Sequence, residues 1–596
     1  MIKVSDFIAK YLRENYGIEQ VFMVSGGGAM HLNDSFGKYI PYVCNHHEQA
    51  CSIAAEGYAR VNQKLAVVNV TTGPGGLNCL NGLFGQWTDS VPVLYVSGQV
   101  KTSTMMSSYP AIKLRQLGDQ EVDIISTVKH LTKYSVCVKN PLDIKYHIDR
   151  AVYEATHNRK GPVWLDIPID VQACLIDENV LRAFVPEQQP QPSCESDTVV
   201  EFLKKAKAPL IVAGHGIRLS NQIGTFHKLV DKLQIPVVTT FNGLDLLSTE
   251  HPCNIGSIGT IGNRSGNFAL QNADLVLCLG TRNNIRQVSY NWENFAKNAF
   301  KIIVDIDNAE LQKPLVKPDL PINADLSYFL PELLESIENS FQESAKSNWL
   351  NFCRTLRKKY SFNNTAEYHQ VGEALNPYYV VRKITEYLAD DDVVVSANAT
   401  PSICMFQGGK ITSQRVIINS GDASMGYALP ASIGASFQSQ GRVVVLEGDG
   451  SIMMNIQELQ TIAFNNIPVK IFVFNNDGYS SIRQTQRNFF DGHFTGCGAT
   501  SGVGVPDFCK VSEAFGIKAY KLTSPKDIDS VLSEVLNSTE PVLCEIMTAA
   551  DFSFSPKLSS KKLPDGSMVS SSLEDMFPFL PKEELERNMS FLNNID

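Results

Sequence analysis

Nowhere in the 596 residues does an apolar run reach the length of a membrane span, which argues against a helical membrane protein. The opening stretch, MIKVSDFIAKYLRENYGIEQ, lacks the apolar block and cleavage pattern of a secretory leader. It reads instead as an amphipathic helix with Val4, Phe7, Ile8, Tyr11 and Leu12 on one face. No CxxC pair occurs among the 13 cysteines, whose odd number and scatter predict reduced thiols in a cytoplasmic protein and no zinc site. There is no basic stripe. The formal charge of -10 excludes nucleic acid as the main partner and leaves room only for a local basic site for a phosphorylated ligand. Nor does a good G-x-G-x-x-G follow a strand and open a helix, which disfavours a plain dinucleotide-dependent reductase.

What is present is a globular composition, 43% hydrophobic and 19% charged, in a chain too long for one core. Apolar, β-branched runs recur at 65–70, 91–96, 163–167, 210–213, 237–240, 275–279, 302–306, 393–395, 443–446, 469–474 and 542–546. They do not alternate strictly, and helix-like stretches separate most of them. That pattern predicts an α/β fold of doubly wound parallel sheets covered on both faces. Polar, Pro-containing stretches at 185–196 and 360–377 read as connectors. They divide the chain into segments 1–184, 197–360 and 377–550, with a Ser-, Lys- and Pro-rich arm over 551–596 that is expected to pack across a surface.

The most informative stretch runs from Val443 to Ile482. One apolar run ends in Gly448-Asp449-Gly450 and the next in Asn475-Asn476-Asp477-Gly478. Ligands of open parallel sheets bind beyond the carboxyl ends of the strands. Asp449 should project there at the start of a helix over 451–464, with Ser451 near its N-cap, where an anion is favoured. A carboxylate beside a phosphate repels it, and a hard divalent cation removes the conflict. Mg²⁺ takes oxygen ligands and bridges carboxylates to phosphates. Asp449, the Asn476 side-chain oxygen and the Gly478 carbonyl would supply the protein's share.

With 27 residues from Asp449 to Asn476, this pair resembles the diphosphate motif of thiamine diphosphate enzymes, and the likeness spans nearly the whole chain. It is nearest to the acetolactate synthase (acetohydroxyacid synthase) group. HEQACSIAAEGYAR (47–60) is similar to that group's glutamate motif. TTGPGGLN (71–78), DSVPVLYVSGQV (89–100), GPVWLDIPIDVQ (161–172) and SMGYALPASIGA (424–435) follow in the family's order. The resemblance implies three domains: pyrimidine-binding, central and diphosphate-binding. It implies thiamine diphosphate held by Gly448, Asp449, Gly450, Ser451, Asn476 and Gly478, with Asn398 and Ala399 also at the diphosphate and Met425 wedged beneath the cofactor's rings. Glu48 would hold the proton beside the aminopyrimidine, and Gln120 and the loop Ser25–Met30 would line the reaction pocket. FAD is a further implied group in the central domain, where Asp305 or Asp307 could meet a ribose. A homodimer or homotetramer with the site shared between chains is implied as well.

Departures from the family bear on the substrate. Its Gly-Gln-His-Gln segment reads Ala397-Asn398-Ala399-Thr400 here. A substrate-flanking phenylalanine falls on Asp119, and two large apolar pocket positions fall on Ser481 and Thr485. The pocket is therefore expected to be wider and more polar, suited to a keto-sugar or polyol acceptor. The reading is decarboxylation of a 2-keto acid such as pyruvate, with ligation of the two-carbon unit to a carbonyl acceptor. The alternatives are a C–C hydrolase or lyase using the same cofactor, and a non-catalytic cofactor-binding relative. Retention of Glu48, Asp449 and Asn476 argues against the last.

Overall fold

The computed structural model describes residues 1–187, 194–340, 346–562, 565 and 568–592. Three six-stranded sheets, each parallel throughout, form the body of the molecule. The first contains Val21–Met23, Tyr42–Cys44, Ala66–Val70, Val93–Gln99, Tyr134–Cys137 and Val163–Pro168. Numbered in chain order within that sheet, its strands lie in the order 2-1-3-4-6-5. The third sheet, from Val393–Ser396 to Val542–Met547, repeats this order. The central sheet, from Pro209–Ala213 to Leu320–Asn323, has the order 3-2-1-4-5-6, that of nucleotide-binding doubly wound folds.

Each of the eleven apolar runs forms a strand, and all eleven lie inside their sheets. Within these three sheets, the strands that no long run announced are the six at the edges and the three-residue strand Val21–Met23. An edge strand has one partner and shorter pairing, so it does not need an uninterrupted apolar run. The opening helix spans Val4–Tyr16 and buries Val4, Phe7, Ile8 and Leu12. Tyr11 stays half-buried, its hydroxyl donating to Asp149 over 2.8 Å.

The connector at 185–196 lies partly outside the described residues. Within 551–592, the arm crosses the central and third units. Leu558 N–H donates to Thr260 O (2.7 Å), Gln407 Nε2 to Pro556 O (2.6 Å) and Gln271 Nε2 to Glu574 (2.7 Å).

The first and third units meet through two helices, Glu48–Asn62 and Ala428–Ser436. Their sequences, ACSIAAEGYA and ALPASIGAS, are built from small residues, so the backbones approach closely. A Cβ placed on Gly57 would stand 2.0 Å from Ala431 O, and one on Gly434 would stand 1.7 Å from Ala54 O. Charge is sealed into the same contact. Glu56 (0% exposed) pairs with Arg60 Nε at 3.0 Å and accepts from Tyr427 OH at 2.9 Å, and Arg60 also bonds Asp89 and Ile418 O. Burial pushes the Glu56 carboxyl up to about 7 even against the pull of Arg60.

Gly434→Ala is expected to destabilise this interface by at least about 1–3 kcal/mol, the usual cost of overpacking. Gly224→Ala, where the added carbon meets nothing within 4 Å, is expected to leave the unfolding temperature unchanged or slightly raised. Circular dichroism melts of the two variants against wild type check this; equal melting temperatures would contradict the close-approach argument.

Candidate cofactor site

Two groups of residues gather at the carboxyl ends of strands. The first forms around Glu48 at the start of its helix, whose N-cap, His47, accepts the Gln49 N–H through Nδ1 at 3.0 Å. The half-buried Glu48 carboxylate accepts from Asn78 Nδ2 at 2.9 Å. Glycine brings the neighbouring turns against it. A Cβ on Gly75 would lie 3.5 Å from Glu48 Oε1, and one on Gly73 (φ +65°) would lie 2.0 Å from Gln120 O. Gly28 N–H donates to Thr71 Oγ1 at 3.1 Å, so the loop 25–30 rests on the same turn. Glu48, Gln120 and the glycine loop are thus brought together. Gln120 sits at φ +61°, and its side chain is exposed.

The second group centres on Asp449, 2% exposed. Its Oδ1 accepts from Gly450 N (2.7 Å), and its Oδ2 accepts from Asn476 N and Gly478 N (2.9 Å each). These bonds join the ends of the strands Val443–Gly448 and Lys470–Asn475. Burial outweighs them and pushes the carboxyl up to about 6. Gly450 has no room for a side chain, because its Cβ would lie 2.2 Å from the Tyr479 ring, and Gly478 is held at φ +111°. Asn476 Oδ1 is buried without a hydrogen-bond partner. A buried acceptor in that state has an unmet bonding demand, and here it adjoins a carboxylate that is costly to ionise.

The helix expected over 451–464 is instead two pieces, Asp449–Ile452 and Glu458–Phe464. Asn455 interrupts it by donating from Nδ2 to Gly426 O at 2.8 Å. Ser451 does not cap: the N-cap is Gly448, and the Ser451 hydroxyl accepts from Gly426 N–H at 2.9 Å. One turn of helix carries little macrodipole, so the helix itself offers little attraction for an anion. The Ser451 bond docks the segment bearing half-buried Met425 onto the Asp449 turn. Asn398 Nδ2 donates to Ala423 O, and Ala399 turns at φ +59° into the helix Thr400–Gly408, whose Thr400 hydroxyl lies 3.3 Å from that of Ser480.

Among the described residues no hydrogen bond joins Glu48 to residues 448–478; links between the groups run through Ser424–Asn81 (2.6 Å), Asn45–Glu458 (2.8 Å) and His46 N–Glu458 (3.0 Å). Sequence reasoning missed Arg483. Its buried guanidinium donates to Asp477 O (2.6 Å), Ala550 O (2.6 Å), Cys497 O (3.2 Å) and Asn476 O (3.3 Å). It therefore ties down the loop that carries Asn476 and Gly478. An arginine five residues past that loop, in a helix otherwise rich in Ser and Gln, was the available signal.

A cleft of about 280 Å³ opens at the carboxyl ends of the central strands. Arg159, Lys160, Arg282 and Arg286 line it, along with Asp305, whose carboxyl burial pushes up to about 6. Asp307 is committed elsewhere: it caps the next helix through Ala309 N and pairs with Arg159 at 2.6 Å. Of the two aspartates considered for a ribose, Asp305 is the one that reaches the cleft. Elsewhere, ligand atoms of Asp507, Cys509 and Glu545 lie within 4.8 Å of one another, but the Lys521 ammonium already stands 3.0 Å from Glu545 and 3.5 Å from Asp507.

Three family descriptions match the chain in order. They are the thiamine pyrophosphate enzyme N-terminal TPP binding domain over residues 2–126, the central domain over 196–333 and the C-terminal TPP binding domain over 403–546. The two cofactor-binding domains coincide with the sheets that carry Glu48 and Asp449, so the protein is a thiamine diphosphate-dependent enzyme. Full-length relatives narrow this further. The acetolactate synthase large subunit of Lactococcus lactis is 32% identical over 554 residues, covering 91% of this chain and 92% of its own. The isozyme 2 large subunit of Escherichia coli is 30% identical, with 89% and 93% covered. The mitochondrial acetolactate synthase of Schizosaccharomyces pombe is 30% identical, with 90% and 82% covered. The chain belongs to the acetolactate synthase family.

Arg483→Ala removes the guanidinium from Asn476 O, Asp477 O and Ala550 O, at about 1–3 kcal/mol for each that stays dry; Cys497 O keeps the Tyr479 N–H. The expected result is at least a tenfold loss of thiamine diphosphate affinity by calorimetry, with Arg483→Lys recovering only part because one ammonium cannot span the fork. Wild-type affinity in Arg483→Ala would show that the loop holds itself.

Proposed function

We propose that the enzyme decarboxylates a 2-keto acid, pyruvate by preference, and ligates the two-carbon unit to a polar carbonyl acceptor, using thiamine diphosphate and Mg²⁺. The observation that carries the cation is the oxygen-only set at Asp449, Asn476 and Gly478, with Asn476 Oδ1 buried and unpartnered. Hard oxygen donors at two adjoining strand ends suit Mg²⁺ and a diphosphate. When bound, thiamine diphosphate would supply the nucleophilic carbon and the electron sink that decarboxylation needs. Asp449, Asn476 and the Gly478 carbonyl would hold the metal. Glu48 holds the proton beside the cofactor's aminopyrimidine, Met425 supports its rings, and Gln120 faces the substrate. The names of the relatives support the ligation step, and the polar side chains at Asp119, Ser481 and Thr485 support an acceptor more polar than a short keto acid.

The basic central cleft, with Gly214 and Gly280 packed too closely to carry side chains, suits a nucleotide such as FAD with Asp305 at a ribose. Absorbance of the purified protein near the flavin bands tests it. A homodimer at minimum is part of this reading, with Glu48 at the first sheet and Asp449 at the third as the two halves of a shared site. Exposed Leu77, Phe84 and Trp87 near the first group and Met453 and Met454 near the second support such an interface.

The reaction is tested by incubating enzyme, cofactors and pyruvate with a panel of aldehydes and ketones, and measuring CO₂ and product mass. Failure to release CO₂ from any 2-keto acid would leave a binding protein instead.

Asp449→Ala is expected to abolish cofactor retention, and Asn476→Ala, which removes a neutral oxygen, to weaken it less. A metal must displace the proton from a carboxyl held at about 6. Mg²⁺ affinity is therefore expected to be flat above pH 7 and to fall about tenfold per unit well below pH 6. Titration calorimetry at several pH values reads both effects; pH-independent affinity down to pH 5 would refute Asp449 as a ligand.

Glu48→Gln keeps the shape but not the acid, so hydrogen–deuterium exchange at the cofactor's reactive carbon is expected to slow by roughly 10²–10⁴ with binding retained. Mixing Glu48→Gln chains with Asp449→Ala chains is expected to restore part of the activity, because each mixed dimer holds one intact site. No restoration after demonstrated subunit exchange would locate the site within one chain.

A further inference from the structure

Residues 100–123 connect the strand Val93–Gln99 to the helix Ile124–Val128. From Lys101 to Gly118 this loop contains Lys101, Lys113 and Arg115 and no Asp or Glu, in a chain whose net charge is -10. All three cations are exposed, as are Tyr109, Ile112, Leu114 and Leu117 around them. A long loop of this kind would ordinarily be mobile and would hide its apolar side chains.

It is anchored from within. Glu121 is 4% exposed and accepts Met106 N–H on one oxygen (2.6 Å) and Leu117 and Gly118 N–H on the other (3.2 and 3.1 Å). One carboxylate thus gathers both ends of the segment 106–118. At the base, Asp170 accepts Thr102 N–H at 3.1 Å, and Gly118 is buried where a Cβ would stand 2.7 Å from Val100. The loop then runs through Gln120, whose carbonyl packs on Gly73 in the turn that also touches Glu48. The loop that carries the exposed cations is therefore anchored, at its Gln120 end, beside the turn that touches Glu48. Of the acids that follow, Glu121 is engaged by backbone N–H groups and Asp123 caps the next helix at Ser126 N, while exposed Asp119 adjoins Gly118 and offsets one of the three positive charges.

We propose that this loop selects the acceptor: Lys113 and Arg115 bind the anionic group of a phosphate-bearing carbonyl compound, with Glu121 as the positioning residue that presents them. This rests on Glu48 marking the reaction site. The keto acid does not account for the charge, because its one carboxylate departs as CO₂. The cofactor's diphosphate has its own oxygen and metal set around Asp449. Paired cations on a rigid loop beside apolar side chains suit a phosphate ester or diphosphate carried on a larger body.

The test uses wild-type holoenzyme, pyruvate and matched acceptors with and without phosphate: ribose 5-phosphate against ribose, and glyceraldehyde 3-phosphate against glyceraldehyde. The expected result is a kcat/KM at least tenfold higher for the phosphorylated member of a pair, shrinking as salt is raised. The preference should fall to near unity in Lys113→Ala/Arg115→Ala, a pair of surface changes that spares the fold. Glu121→Gln should lower the preference with both cations still present. Equal use of both members, use of neither, or a preference that survives the double substitution overturns the proposal. The underlying reading is judged separately: loss of CO₂ release from pyruvate in wild type, or no effect of Glu48→Gln on it, would remove the site itself.

Discussion

The contact between the helices Glu48–Asn62 and Ala428–Ser436 constrains everything around it. Two glycines let the backbones meet, and that closeness leaves Glu56 and Arg60 no solvent. Removing one partner from such a pair costs about 3–5 kcal/mol, because the other charge is stranded. The same helix carries Glu48 at its start, and the segment Ser424–Tyr427 leads into the other helix with Met425 in it. Packing between the first and third units therefore fixes where both Glu48 and Met425 sit.

At the diphosphate end the logic is different. Asp449 receives three backbone amides, yet burial still keeps its carboxyl near 6. Beside it Asn476 Oδ1 has no donor, and Arg483 spends its guanidinium on carbonyls without neutralising the acid. These residues leave negative charge and spare oxygen at one point while fixing the backbone around it. That arrangement fits the cation proposed for it. The central unit contributes a basic cleft on the nucleotide-type strand order, and the arm straps it to the third sheet.

How much of this was legible depended on where each residue sits. Interior strands must be apolar on both faces, so eleven of them stood out as runs; edge strands such as Tyr134–Cys137 and Lys518–Leu522 carry polar residues and did not. The two-piece helix after Gly448 was read as continuous because Asn455 looks like an ordinary helical residue until its amide finds Gly426 across the fold. Arg483 and Glu121 were passed over for the same reason: each acts on backbone groups brought near by folding.

By itself the sequence determined the three-sheet α/β architecture, the order of its units, and the acid–amide pair at Asp449 and Asn476. The α/β class and the acid–amide pair are local, set by apolar runs and by glycines that permit only certain turns, whereas the order of the units was implied by the family resemblance. Only the tertiary structure decided that Asn476 Oδ1 is orphaned, that Asp305 rather than Asp307 reaches the cleft, and that Glu121 gathers its loop. The physical reason is that hydrogen-bond satisfaction is a property of the assembled neighbourhood. A side chain's demand is fixed by its chemistry, but whether it is met depends on groups that the chain brings close only when folded.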